Sequence, residues 1–375
     1  MTLPTTRTCP FDPPPAPRPI SPLRYPDGSS GWLVTDHAAA RFVLSDPRFS
    51  SRLDLALSPI RGRQPDGPPG AFLFMDPPDH TRYRKLLTGQ FTVRRMRLLE
   101  PMIAARIDEV LSTLAAPADL VQGFALPVAS GVICDLLGVP YSRHSEFEQQ
   151  SHDMVDPGLP EAARDAAGEA MYLMLAELVA AKRTSPADDL LSGLLPDLSD
   201  DEIIGIGLML LFAGHETTAN MLALGTFALL EHPAQLAALR STPTLIDGAV
   251  EELLRYLTIV QYEVNRAALE DVTVAGQLVR SGESLLVSLP MANRDPSRFP
   301  SPDELDLTRP TGGHLAFGHG VHQCLGQQLA RIELRIGFTA LLARFPDLRL
   351  AIPAAEVPLN TERGIYGVAE LPVTW

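Results

Sequence analysis

The chain is short of three things, and each shortage excludes a class of protein. Cysteine stands only at Cys9, Cys134 and Cys324, too few for a disulfide framework, so a reducing compartment, the cytoplasm, is expected. Lysine is scarcer still, at Lys85 and Lys182 alone. With a net charge of −14 over 375 residues, there is no basic footprint for nucleic acid. No apolar run opens the chain, so neither a signal peptide nor a membrane anchor is expected. Apolar side chains, by contrast, make up 45% of the residues, ample for a sizeable core.

Proline punctuates the start. Pro10, Pro13, Pro14, Pro15, Pro17, Pro19, Pro22 and Pro26 crowd residues 1–30, which read as an extended surface coil. Trp32-Leu33-Val34 then reads as a strand, and Asp36 as the cap of a helix reaching Leu44. Residues 58–70 carry too much proline and glycine for regular structure and form a long adaptable loop. A helix starts after Pro77-Pro78, with His80 and Arg84 four apart on one face; alone, that is a solvated basic face. Several helices follow between about 94 and 183, with a break expected at Pro157 to Pro160.

Ser199 and Glu202 form a capping box ahead of an apolar helix from Ile203. Gly214 and Glu216 interrupt it, although the apolar positions resume at Met221 and run to Leu230. A mid-helix glycine costs about 1 kcal/mol relative to alanine, and a buried glutamate costs more, so the run Ala213-Gly214-His215-Glu216-Thr217-Thr218 needs a purpose. A zinc-protease reading fails, because Ala219 stands where the second histidine belongs. Downstream, Glu252 and Arg255 can pair on one helix face, and from Thr258 the pattern turns to strands at 258–260, 271–276, 277–279 and 284–289.

The chemistry concentrates in Phe317-Gly318-His319-Gly320-Val321-His322-Gln323-Cys324-Leu325-Gly326, followed by Leu329, Ile332 and Ile336 at helical spacing. Cys324 therefore lies at a helix N-terminus, where free N–H groups and the helix dipole favour a thiolate. Three readings stand: a small buried core cysteine, a zinc site of His314, His319, His322 and Cys324, and the axial thiolate of a haem.

The last run resembles the haem signature F-G-x-G-x-H-x-C-x-G of the cytochrome P450 monooxygenases. The other motifs resemble that family's in order: H-x-x-x-R at His80 and Arg84, A-G-x-E-T-T at Gly214, Glu216 and Thr217, and E-x-x-R at Glu252 and Arg255. The likeness runs from about Gly31 to Trp375, and the wording is most like actinomycete members that oxidise natural products. It implies a mainly α fold with small β-sheets, formed by one catalytic domain over residues 31–375, with haem b between the long central helix and the helix after the cysteine. It implies Cys324 as the iron's axial ligand beside Phe317, Gly318 and Gly326, with His80, Arg84, Arg266 and His314 on the two haem carboxylates. Glu216 and Thr217, beside Gly214, imply oxygen activation fed by electrons and protons rather than by peroxide. Arg309 is the expected third member of a structural triad with Glu252 and Arg255.

The activity so implied is insertion of one oxygen atom from O2 into a small hydrophobic substrate, by hydroxylation or epoxidation, in natural-product biosynthesis or xenobiotic oxidation. Electrons would come from a ferredoxin and its reductase, docking on Arg82, Lys85, Arg331 and Arg335. A monomer with no membrane and no nucleic-acid partner is expected. Two departures from the pattern are a lid region that looks short and Tyr262 and Asn265, polar residues where the family's pocket wall is usually apolar. A haem-binding sensor or carrier, which has no need of Glu216 and Thr217, is the alternative.

Overall fold

The computed structural model describes residues 2–155 and 158–375, apart from the side chains of residues 152 and 155. The helices are α1 (His37–Ser45), α2 (Asp79–Thr88), α3 (Val93–Leu98), α4 (Glu100–Thr113), α5 (Leu126–Leu137), α6 (His144–Val155), α7 (Glu161–Thr184), α8 (Leu190–Leu194), α9 (Asp200–Glu231), α10 (Pro233–Ser241), α11 (Ile246–Leu257), α12 (Leu289–Asn293) and α13 (Gln327–Arg344). The strands are β1 (Ile20–Arg24), β2 (Ser30–Val34), β3 (Phe49–Ser50), β4 (Ala118–Asp119), β5 (Asn265–Ala268), β6 (Val272–Val274), β7 (Gln277–Val279), β8 (Ser284–Val287), β9 (Arg349–Leu350) and β10 (Pro372–Thr374). The fold is mainly α with small sheets.

The scaffold is organised by α9. Its N-terminus carries the expected capping box: Ser199 Oγ accepts from the Glu202 N–H, and Glu202 Oε2 accepts from the Ser199 N–H at 2.9 Å. Over its 32 residues most apolar side chains are buried, because α5, α7, α11 and α13 pack around it. At its end His232-Pro233 stops the ladder, since proline brings no N–H, and α10 leaves at a sharp bend of 103°. Among the described residues no single helix is long and apolar enough to cross a membrane.

The larger sheet has the order β1-β2-β8-β5-β3, with β2 and β8 parallel and the other pairs antiparallel. Here the expectation of a surface coil over residues 1–30 needs correction. Residues 20–24 form the edge strand β1, which can hold Pro22 because an edge position has no need of every N–H. Phe11 is buried with its ring 4.9 Å from that of Phe227, and Leu23 and Tyr25 are buried too. The prolines hold the segment extended, and the apolar residues between them anchor it.

One further expectation changes. Residues 258–260 are not a strand: Thr258 ends α11 at φ +36, its hydroxyl donating to the Leu254 and Arg255 carbonyls, and Val260 alone bridges Ile365. In the region expected to form the lid, α6 and α7 span 12 and 24 residues. The break expected at Pro157 to Pro160 falls between α6 and α7, with Pro157 itself outside the described residues.

Under the cysteine loop, the Glu252 carboxylate accepts from Arg255 Nε and Nη2, from Arg309 Nε at 3.1 Å and from the Asp306 N–H at 3.0 Å. Arg255 also donates to the carbonyls of Asn293 and Pro302, each at 2.9 Å. This triad, with Arg309 as its third member, ties α11 to the segment that leads to the loop.

Candidate active site

Residues 317–326 form a tight loop ahead of α13. The Cys324 N–H donates to the Phe317 carbonyl at 2.8 Å, and that of Gly318 to Leu315 at 2.8 Å. Gly318 and Gly320 sit at φ +68 and +75. A Cβ on Gly320 would stand 2.3 Å from the Leu44 carbonyl oxygen, so only glycine lets the loop lie against α1. The N–H groups of Gly326 and Gln327 reach the Cys324 sulfur, as a helix start should. Burial nonetheless outweighs them: it pushes the thiol above its ordinary value, against the pull of those N–H groups and of the Arg84 and Arg331 guanidiniums. Backbone donors aimed at a buried sulfur are the surroundings that a metal-bound thiolate would use.

Beside the loop lies a basic cluster. The rings of His80 on α2 and His322 are 4.2 Å apart, and Arg84 and Arg266 add their charges around His322. Burial, with these positive neighbours, drives His322 down to about 3, and burial lowers Arg266 to about 10. Both ring nitrogens of His80 and Nδ1 of His322 are buried with no hydrogen-bond partner among the described residues. Asp76, whose charge reaches His80 and Arg266, is committed to Ser50 and Ser51. Orphaned ring nitrogens beside the buried Arg266 and half-buried Arg84 guanidiniums fit a buried dianion, and the two carboxylates of a haem are such a group.

His322 is the residue that the sequence reading left out of this cluster, although it stands inside the cysteine motif. His314 was expected there and is engaged elsewhere. Its Nε2 pairs with Glu251 Oε2 at 3.0 Å and its Nδ1 accepts the Ala316 N–H, so neither nitrogen is left for a haem carboxylate. Burial works against the Glu251 carboxylate, yet His314 and Arg331 hold it at about 2. Arg331 in turn lies over the Phe317 ring, 4.5 Å from its centre. Among the described residues no three His, Cys, Asp or Glu side chains are grouped to hold a bare metal ion, which removes the zinc reading.

On α9 the helix runs unbroken through Gly214, Glu216 and Thr217. The Thr217 hydroxyl donates to the Ala213 carbonyl at 2.6 Å, and Asn220 Nδ2 donates to that of Glu216 at 2.9 Å. Burial raises the Glu216 pKa; Arg363, whose Nη1 is 3.9 Å away, opposes the rise. Leu211, Phe212, His215 and Glu216 line a cleft with Ser151 and Met154 of α6. Tyr262 does not enter it: the ring is buried and its hydroxyl donates to the Pro4 carbonyl, while Asn265 Nδ2 turns back to the Tyr262 carbonyl.

The family model described as Cytochrome P450 matches residues 136–365. Cytochrome P450 105C1 of a Streptomyces species is 49% identical, over 95% of this chain and 92% of that protein. The chain belongs to the cytochrome P450 family. Pentalenic acid synthase of Streptomyces avermitilis is 44% identical over 100% of the chain and 97% of its own length. The structure of CYP105P2 from Streptomyces peucetius with a biphenyl compound superposes at a TM-score of 0.94, with 44% identity over 100% of this chain and 99% of that one. This cytochrome P450 is accordingly a haem b monooxygenase that inserts one oxygen atom from O2 into a hydrophobic organic substrate. The sensor or carrier reading finds no support in these relatives.

Proposed function

We propose that Cys324 is the axial ligand of the haem iron, that Phe317, Gly318 and Gly326 bring the loop backbone close to it, and that His80, Arg84, Arg266 and His322 hold the haem carboxylates. The observation that carries this reading is the set of orphaned ring nitrogens on His80 and His322 beside the buried Arg266 and half-buried Arg84 guanidiniums. When bound, the haem iron supplies the redox chemistry that activates O2 and inserts one of its atoms. Thr217, its proton held by the Ala213 carbonyl, presents its oxygen as an acceptor beside Gly214, while Glu216, whose pKa burial raises, takes up protons and hands them on. Leu211 and Phe212 give the cleft apolar surface for a hydrophobic substrate.

The substrate class is a hydrophobic natural product or foreign compound, oxidised by hydroxylation or epoxidation. The relative with a synthase name and the neighbour bound to a biphenyl compound support that class. Turnover takes place in the cytoplasm, in a monomer that draws electrons from a ferredoxin and its reductase. The test is the spectrum of the reduced protein under carbon monoxide. A thiolate-ligated band that Cys324→Ser abolishes supports the ligand; a band that survives the substitution overturns it.

A further inference from the structure

The N-terminal strap and the carboxylate of Glu216 lie far apart in sequence; hydrogen bonds run from the strap to the Arg363 backbone, and a charge contact of 3.9 Å between the Arg363 and Glu216 side chains completes the path. Gln261 is buried, and each end of its amide is used. Nε2 donates to the carbonyls of Thr361 at 3.1 Å and Arg363 at 2.7 Å, while Oε1 accepts from Arg7 Nη2 at 2.6 Å. Arg7 itself lies over the Tyr366 ring, 3.6 Å from its centre, and donates to the Asp12 carbonyl. An amide has an acceptor at one end and donors at the other. A guanidinium against Oε1 therefore fixes which end faces the loop, since a flipped amide would set NH2 against a cation.

The loop so held runs along α9. The backbone N–H of Gln261 donates to the Gly364 carbonyl at 2.9 Å and that of Tyr366 to the Ile259 carbonyl at 2.7 Å. The Asn220 amide rests against Gly367, with its oxygen where a Cβ would stand. These contacts place Arg363 Nη1 3.9 Å from Glu216 Oε1. We propose that Arg7 and Gln261 form a tether that orients the 361–367 loop, so that Arg363 acts as the positioning counter-ion of Glu216 and the N-terminal strap takes part in proton supply.

The proposal rests on the proton-carrying role given to Glu216 above. Three charged groups bear on that carboxylate: Arg363, Glu263, which raises its pKa, and Arg61, which lowers it and pairs with Glu263 at 3.2 Å. His215 adjoins it on α9, and α6 brings Ser151 and Met154 to the same cleft. Among the described residues Arg363 is thus the foremost cation acting on Glu216, and its hold depends on a loop that the first residues of the chain keep in register.

Infrared difference titration of the intact haem-loaded protein, with Glu216→Gln assigning the carboxyl band, reads the tether directly. Arg363→Gln should move the Glu216 midpoint upward and Arg363→Lys should bring it back. Gln261→Ala and Arg7→Gln should move it the same way by less, with the haem absorption unchanged. A midpoint unmoved by Arg363→Gln overturns the counter-ion, and one moved by Gln261→Ala but not by Arg7→Gln overturns the part of the strap. The role of Glu216 is judged apart from this: Glu216→Gln must change the ratio of product formed to O2 consumed, whatever the band does.

Discussion

Arg255 and Glu252 meet through two hydrogen bonds of 2.7 and 2.8 Å, and neither side chain reaches solvent. A buried pair of this kind contributes little beyond a well-packed apolar pair, but removing one partner leaves the other charged in the core. Arg255→Ala is expected to cost about 3–5 kcal/mol, seen as a large drop in Tm and loss of haem-loaded protein. Replacing the exposed Arg280 should leave both unchanged.

Acid should expose the link between α11 and α13. Folding depresses the Glu251 pKa from 4.5 to about 2, so its contribution is present above about pH 4.5 and disappears as pH falls through about 2. That contribution is on the order of 2 kcal/mol. Urea midpoints measured against pH should show Glu251→Gln less stable than the parent at pH 6, with the gap closing toward pH 2.

If the basic cluster holds the haem carboxylates, its members control haem retention. Each hydrogen bond to a charged group contributes about 1.5–3 kcal/mol, so Arg266→Ala and His322→Ala should each speed haem transfer to an acceptor protein roughly tenfold or more. His314→Ala should not, because that ring faces Glu251. A fast loss from the His314 variant alone would reverse the assignment.

Electron delivery offers a fourth test. Of the four cations expected to dock a ferredoxin, Arg82 is paired with Glu202, Arg331 with Glu251 and Arg335 with Glu100. Lys85 is exposed on α2, the helix that reaches the cysteine loop through Arg84 Nη2 to the Gln323 carbonyl. Lys85→Glu should therefore slow reduction by an acidic ferredoxin severalfold at low salt, with the effect fading toward 1 M. An unchanged rate at low salt removes Lys85 from the docking face.

The parts legible in the sequence are those whose cause is local. The cap at Asp36, the capping box at Ser199 and the pair at Glu252 and Arg255 each involve residues three apart, and the structure has all three. The misreadings come from partners distant in sequence. His314 stands just before the cysteine loop and His322 within it, and which one turns away is decided by Glu251, far upstream on α11. Thr258 to Val260 have strand-forming side chains, yet the backbone must turn there so that Asn293 can reach the Thr258 hydroxyl at 2.8 Å. The N-terminal prolines hid Phe11, because composition describes the segment's stiffness and not what its aromatic side chains pack against.

The pairing of Trp32 with Leu285 bears on how the molecule is made. While a ribosome extends the chain, β1 and β2 emerge early and must wait, one flank open, until β8 has been synthesised. Closure across such a separation is slow and leaves an unsatisfied ladder available to other nascent chains. The yield of correctly assembled protein should thus depend on whatever shields that flank during translation, and slower synthesis in the presence of a holdase chaperone should raise it.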